Sequence, residues 1–459
     1  MTIEEYPVGK PTAPLAPHSI TVGPDNYLWV TTSNNALVQI DRKNPRANTV
    51  YTDSIPTLTA GILRDPKCSD DRKIVWFASP AHEQEYDPIY EFDVAEGQIV
   101  RKHRLDNDAR AQTITTVKVK SSSLDPSLPY KYYIVFAEPV HTDVGYVEVG
   151  QTGAEHRPVA DADTWLWSVA VTTDPTETKY TCWATGQKRD IKPLTRTTNA
   201  LYRYSTADEH PAWEEIRLPG HPDQVPIHVI AGLGEKKDDK TPYLWISARN
   251  PNRILRYNIN ERTWRVSPSI TGEPRQLAFG PDGNIWVAGT DKIYCFPRDV
   301  SRALPSEDLP QGSEASGICL DTSEKVIWYT NPTGKKFGRY PFSALGNSSF
   351  GKTQLLIQPV KKITPGAVAE VPLVAEFVAD ACPTPGIPLT CRILSEEATF
   401  LDGSRECVRE TDWTGQVVFP AVLAGKAEED VLLKIGWGDN EPPTTAVLQV
   451  RDKLEDDMA

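Results

Sequence analysis

The sequence predicts an all-β chain, a seven-bladed β-propeller followed by a small β-sandwich. Three observations carry this. A short strand–turn–strand unit recurs along most of the chain. The 459 residues include 39 Pro and 12 Trp, which suits many short strands joined by turns rather than long helices. Beyond about residue 360 a second series of short alternating strands begins, without helix signals.

The repeat is clearest in Ala16–Asp41, APHSITVGPDNYLWVTTSNNALVQID, and in Glu273–Phe296, EPRQLAFGPDGNIWVAGTDKIYCF. Each reads as an apolar strand, a G-P-D-x turn, a strand with Trp, a polar turn and a third strand. Pro and Asp stand where a tight turn wants them. Weaker copies start near Leu58, Ala111, Thr164, Pro226 and Glu314. Their anchor residues are Ile20, Ile62, Ile114, Val169, Ile230, Leu277 and Ile318, spaced 41 to 61 positions apart. Units of that length are expected of propeller blades.

A fourth strand per unit is visible in TVYTD, QIVRKHRL, WEEIRL and TWRVS. IEEYPV at the N-terminus has the same character but no preceding blade. Open sheet edges invite aggregation, so Ile3–Val8 is expected to close the ring as an outer strand of the last blade, with Thr353–Ile357 competing for that place. These readings divide the chain into a propeller at 1–360, a sandwich at 362–451 and a frayed acidic tail at 452–459.

Composition excludes some partners. A net charge of −13 argues against nucleic acid, whose phosphates need a basic footprint, and against an anionic membrane surface. No stretch approaches the roughly 18 apolar residues of a membrane span. The first residues lack the basic and apolar regions of a signal peptide, so a cytoplasmic location is expected, with secretion left open. The seven Cys show no C-x-x-C pair and no zinc spacing, and are expected to be buried thiols. No Gly-rich nucleotide loop, nucleophile elbow or zinc-protease motif occurs.

The units P-H-S-I-T-V-G-P-D-N-Y-L-W-V-T and P-R-Q-L-A-F-G-P-D-G-N-I-W-V-A, with GKKFGRYPF at Gly334–Phe342 and IEEYPV, resemble the blades of the virginiamycin B lyase (streptogramin lyase) family. The resemblance covers about three-quarters of the chain. G-I-P-L-T-C-R-I, A-T-F-L-D-G and T-D-W-T-G-Q-V resemble the bacterial immunoglobulin-like repeat, over most of Lys362–Val450. That domain departs from the basic lyase architecture. The lyase resemblance implies elimination at the ester of a cyclic depsipeptide, with a divalent metal, magnesium, held by the His of P-H-G-I and the Glu of W-F-T-E. Such chemistry needs a base for a proton alpha to a carbonyl and a cation for the enolate.

Carrying those two positions onto each unit gives two rings. The first is His18, Ala60, Gln112, Trp167, His228, Arg275 and Ser316; the second is Thr32, Ser79, Glu138, Thr185, Ala248, Gly289 and Asn331. The metal-binding set is eroded, because His18, His228 and Glu138 fall in non-adjacent blades. No cofactor is therefore assigned, and magnesium is implied only where lyase activity is retained. A ring of polar groups with an aromatic wall still suits a small-molecule site. His228 and His18 are candidate bases, Arg275 a carbonyl or carboxylate binder, and Glu138 an orienting carboxylate. Gln112, Trp167, Ser316, Asn331 and Thr32 are candidate substrate-binding residues.

The reading that follows is a lyase-like propeller that takes a cyclic, lactone or unsaturated natural product in its channel. One alternative is a cofactor-free pericyclase, which needs orientation and a hydrogen bond more than a metal. The other is a propeller that binds a protein or glycan without chemistry. The sequence does not specify oligomeric state.

Overall fold

The computed structural model describes residues 3–451, apart from 57–58, 68–72, 81–87, 105–109, 122–129, 140–142, 159–163, 189–198, 222, 235–238, 343–349, 358–361, 370 and 438–442. Cys68 and the acidic tail at 452–459 lie outside these residues. The described residues are strands and turns with no helix, so none is long and apolar enough to cross a membrane.

The turn chemistry explains why the repeat folds. In the first sheet, strands Pro17–Val22 and Leu28–Thr32 are joined by the Gly23-Pro24-Asp25 turn, and Asp25 accepts the indole N–H of Trp29 at 3.0 Å. In the sixth, Pro274–Phe279 and Ile285–Gly289 flank Gly280-Pro281-Asp282, and Asp282 accepts from Trp286 at 3.1 Å. The Trp ring lies against the glycine. A Cβ on Gly280 would stand 2.1 Å from Trp286 Nε1, and one on Gly23 2.3 Å from Trp29 Cδ1. Gly, Asp and Trp in this motif are thus one packing unit. Its Trp residues are fully buried, where aromatic area contributes most.

Each repeat makes an antiparallel sheet in simple up-and-down order. The first contains Pro17–Val22, Leu28–Thr32, Leu37–Ile40 and Asn48–Tyr51; the second Ile62–Arg64, Ile74–Ala78, Ile89–Asp93 and Gln98–His103. The third contains Thr113–Lys120, Tyr130–Glu138, Asp143–Glu148 and Glu155–Pro158; the fourth Thr164–Thr173, Tyr180–Lys188, Ala200–Ser205 and Glu214–Arg217. The fifth contains Val225–Leu233, Pro242–Arg249, Arg253–Asn258 and Thr263–Val266. The sixth has Pro274–Phe279, Ile285–Gly289 and Ile293–Phe296, extended by isolated bridges at Leu304 and Asp308. The closing sheet has Ile318–Asp321, Val326–Asn331 and Lys336–Pro341, with Glu4–Pro7 as its outer strand.

The first strand of each sheet packs on the first strand of the next, and Ile318–Asp321 packs back on Pro17–Val22. The arrangement is a β-propeller. The N-terminal strand closes it, which leaves no free outer edge at the seam. Lys352–Ile357, which competed for that place, instead pairs with Val374–Ala379 and belongs to the C-terminal sheets.

Those sheets form two layers. One holds Lys352–Ile357, Val374–Ala379, Cys382–Pro383 and Gln416–Val418; the other holds Lys362–Ile363, Thr444–Val450, Glu429–Gly436, Pro388–Ile393 and Glu406–Glu410. Phe377, Leu389, Val417, Leu433 and Trp437 fill the space between them. This core continues without a break into the last propeller sheets through Trp286, Phe342 and Phe350. Cys182, Cys295, Cys319, Cys382 and Cys391 are thiols outside any disulfide.

Candidate functional site

The inner strands converge because each is pinned from behind by its neighbour. In four sheets the hydroxyl two residues after the buried Trp reaches into the next sheet. Thr31 donates to the Ala60 carbonyl at 2.6 Å, Thr185 to Ile227 at 3.4 Å, Ser247 to Arg275 at 2.5 Å, and Thr330 to His18 at 3.0 Å. Thr113 closes the gap between the third and fourth sheets by donating to Trp167 at 3.1 Å. With the carbonyl held outward, the chain bulges at these positions, between Pro17 and Ile20, Leu166 and Ser168, Pro226 and His228, and Pro274 and Leu277.

His18 and Arg275, 257 positions apart, both carry clasped carbonyls at this end of the axis, near enough for the Arg275 charge to act on His18. Burial, and then the Arg275 charge, hold the His18 pKa below its usual value, so the ring is neutral near pH 7. Arg275 is fixed by Glu314 at 2.7 Å, and Glu314 also accepts from the Thr333 hydroxyl. Sequence reasoning missed Glu314. The only signal for it was an acid two residues before a ring position.

His228 is not the counterpart of His18. The clasped carbonyl in its sheet belongs to Ile227, so His228 stands one residue further along the axis. There it matches Ser168 and Gln276. Each of these side chains accepts a backbone N–H from the next sheet: Ser168 from Val229 at 3.2 Å, His228 Nδ1 from Leu277 at 3.3 Å, Gln276 from Ile318 at 2.8 Å. With Nδ1 accepting, the neutral ring carries its proton on Nε2. Burial lowers the His228 pKa to about 4, which keeps it neutral. A general base was expected at His228; with Nδ1 occupied, the neutral ring presents Nε2–H as a donor. The offset is marked by the proline that precedes His18, Ile227 and Arg275 in their strands.

The second ring does not join the first. Thr32 is fully buried and donates to the Ala36 carbonyl at 2.7 Å, within its own turn. Asn331 donates to Glu5 at 3.1 Å and accepts from Gly334, so it secures the closing strand. Glu138 is fully buried, with neither carboxyl oxygen hydrogen-bonded. Burial and the neighbouring Asp143 carboxylate push its pKa up to about 8. Among the first-ring residues, Gln112 and Ser316 are half-buried, each with its backbone tied to an adjacent strand. Trp167 is half-buried, edge-on to Trp165 at 6.0 Å, and its indole N–H has no partner.

This donor set does not fit magnesium. A cationic Arg275 stands beside His18, the His228 Nδ1 is occupied, and Glu138 faces Asp143. Among the described residues no group of three or more His, Cys, Asp or Glu converges as metal ligands.

A cavity of about 300 Å³ runs along the axis, lined by Ile20, Thr115, Ser168, His228 and Gln276. Where the inner strands finish, the C-terminal domain covers it with Pro385, Gly386 and Glu410–Trp413. Trp413 donates to Thr173 at 3.0 Å, and Asp412 pairs with Lys118 at 2.7 Å. Arg298 is almost fully buried at this junction and donates to the carbonyls of Gly283 and Pro383 and to Thr384 Oγ1. The C-terminal domain is thus the floor of the channel, and the His18–Arg275 end lies opposite.

No known family matches the chain, and no curated protein does. Among solved structures, the extracellular domain of a putative one-component system from B. thetaiotaomicron is similar, with a TM-score of 0.50 and 12% identity over 97% of this chain. The alignment spans 59% of that chain's length. The WD40 β-propeller domain of Doa1 aligns over 73% of this chain and 95% of its own, with a TM-score of 0.47 and 8% identity. At such identities the likeness concerns fold alone; the chain has a propeller-type fold, and no family match supports the lyase resemblance of its sequence.

Proposed function

We propose that the chain is a seven-bladed β-propeller with an immunoglobulin-like C-terminal domain, and that it binds a small carbonyl- or carboxylate-bearing molecule at the His18–Arg275 end of its axis. The observation that carries this is the pairing of a neutral His18 with an Arg275 cation that Glu314 holds in place. Arg275 has donors in a planar fork suited to a carbonyl or carboxylate. Beside it, His18 can accept a proton at neutral pH.

Together they support a metal-free elimination on a lactone or cyclic ester. His18 takes the proton alpha to a carbonyl, a C=C bond forms, the C–O bond breaks, and the ester oxygen leaves as carboxylate. His228 Nε2–H and Arg275 stabilise the developing negative charge. The unpartnered Trp167 indole and the Trp165 edge favour a second reading, orientation of an unsaturated substrate for a pericyclic step.

The test uses a cyclic depsipeptide lactone as probe, with chelator present throughout. Elimination yields a ring-opened product of unchanged mass, whereas hydrolysis adds water. Product of unchanged mass from the wild type, lost in H18Q and R275A, supports the reading. Binding equal in wild type and R275A would remove Arg275 from the site.

A further inference from the structure

Beside the axial cavity, where the C-terminal domain meets the propeller, lies a chamber of about 250 Å³. Its volume is below the roughly 300–1,000 Å³ typical of drug-sized ligands. Its walls include Leu63, Ile114, Thr116, Lys118 and the face of Trp413. Most of its polar groups are accounted for. Lys118 pairs with Asp412 at 2.7 Å and with Glu177 at 3.6 Å, and the Trp413 indole donates to Thr173.

Two groups of opposite charge stand apart from these. Arg64, at the end of Ile62–Arg64, is 7% exposed, and its Nε is buried without a hydrogen-bond partner. Glu410, on Glu406–Glu410, is exposed and lines both this chamber and the axial cavity. Burial raises its pKa, and the Arg64 charge pulls it back down. The two line the same chamber, yet among the described residues no ion pair within 4 Å joins them. A buried guanidinium nitrogen without an acceptor is costly, and a ligand carboxylate in the chamber would complete its hydrogen bonds while the accessible Glu410 carboxylate receives the opposite charge.

We propose that this chamber binds a small zwitterion of the amino-acid class, with its ammonium group on Glu410 and its carboxylate on Arg64. The Trp413 face and Leu63 then receive the apolar part of the ligand. The site is formed only when the C-terminal domain is docked, because Glu410 and Trp413 come from that domain and Arg64 from the propeller. It lies at the covered end of the axis, apart from His18 and Arg275.

Isothermal titration calorimetry of the full chain with each of the proteinogenic amino acids, and with methylamine and acetate as half-ligands, tests this. Saturable binding of at least one amino acid is expected, with both half-ligands at least tenfold weaker. E410Q and R64M should each weaken binding at least tenfold, while H18Q leaves it unchanged; thermal melts confirm that the variants are folded. A chamber that holds only water would give no heat with any amino acid, and that overturns the proposal. So would equal binding of methylamine or acetate alone, or binding that survives in both chamber variants.

Discussion

The Thr330 hydroxyl donates to the main-chain oxygen of His18 at 3.0 Å, across the seam where the ring closes, and accepts the N–H of Gly317 at 2.8 Å. One buried side chain thereby fixes the last sheet to the first and sets the direction of His18. Replacing it by the isosteric Val leaves two buried backbone groups unpaired. T330V should lose about 1–3 kcal/mol of stability, measured by denaturant unfolding. The effect should exceed that of T31V only modestly, since Thr31 makes the same clasp one sheet on.

The Gly–Asp–Trp turns give a second prediction. D282A removes the acceptor of the Trp286 indole and of the Asn284 N–H, so a loss of about 1–3 kcal/mol is expected. G280A should also destabilise, because its Cβ would overlap the Trp286 ring. Thermal melts check both. A G280A protein as stable as wild type would show that the ring is free to move.

Two pH effects of opposite sign follow from the buried groups. The folded pKa of His228, about 4, lies below the ordinary 6.5, so the unfolded chain binds the extra proton between them. Its contribution to stability is complete above pH 6.5 and falls as pH drops toward 4. Glu138 behaves in the opposite sense. Its folded pKa of about 8 lies above the ordinary 4.5, so its contribution is lost as pH rises from 4.5 to 8. E138Q should therefore gain stability relative to wild type between pH 5 and pH 8. Melting temperatures of the two proteins across that range give the answer, and a constant difference would deny the shift.

The buried Arg298 and the shared core predict that propeller and C-terminal domain unfold together. R298A strands several carbonyl acceptors, including that of Leu233, and should cost about 1–3 kcal/mol for each that water does not reach. Calorimetry of the wild type should show one transition. Two well-separated transitions would mean that the junction contributes little.

Much of the fold was legible because it rests on local rules. The G-P-D turn, the alternation of strands and the spacing of Trp are properties of short segments, and they mark the sheets and the closing strand Glu4–Pro7. The Trp-x-Thr/Ser pattern at Thr31, Thr185, Ser247 and Thr330 was also in view, and it is the signal that would have found the clasps. The ring position read for the fifth sheet lies one residue late: Pro226 pairs with Ala248 as Pro17 does with Thr32 and Pro274 with Gly289, so Ile227, not His228, follows the proline as His18 and Arg275 do.

By itself, the sequence determined the all-β class and the repeating unit, since each depends on neighbours within a few tens of residues. Only the tertiary structure decided that Lys352–Ile357 joins the C-terminal sheets, that Glu314 anchors Arg275, that Glu138 is sealed away from the histidines, and that Glu410 and Trp413 floor the channel. These are contacts between segments up to hundreds of positions apart. Long-range packing and desolvation set them, and no local pattern in the chain encodes either.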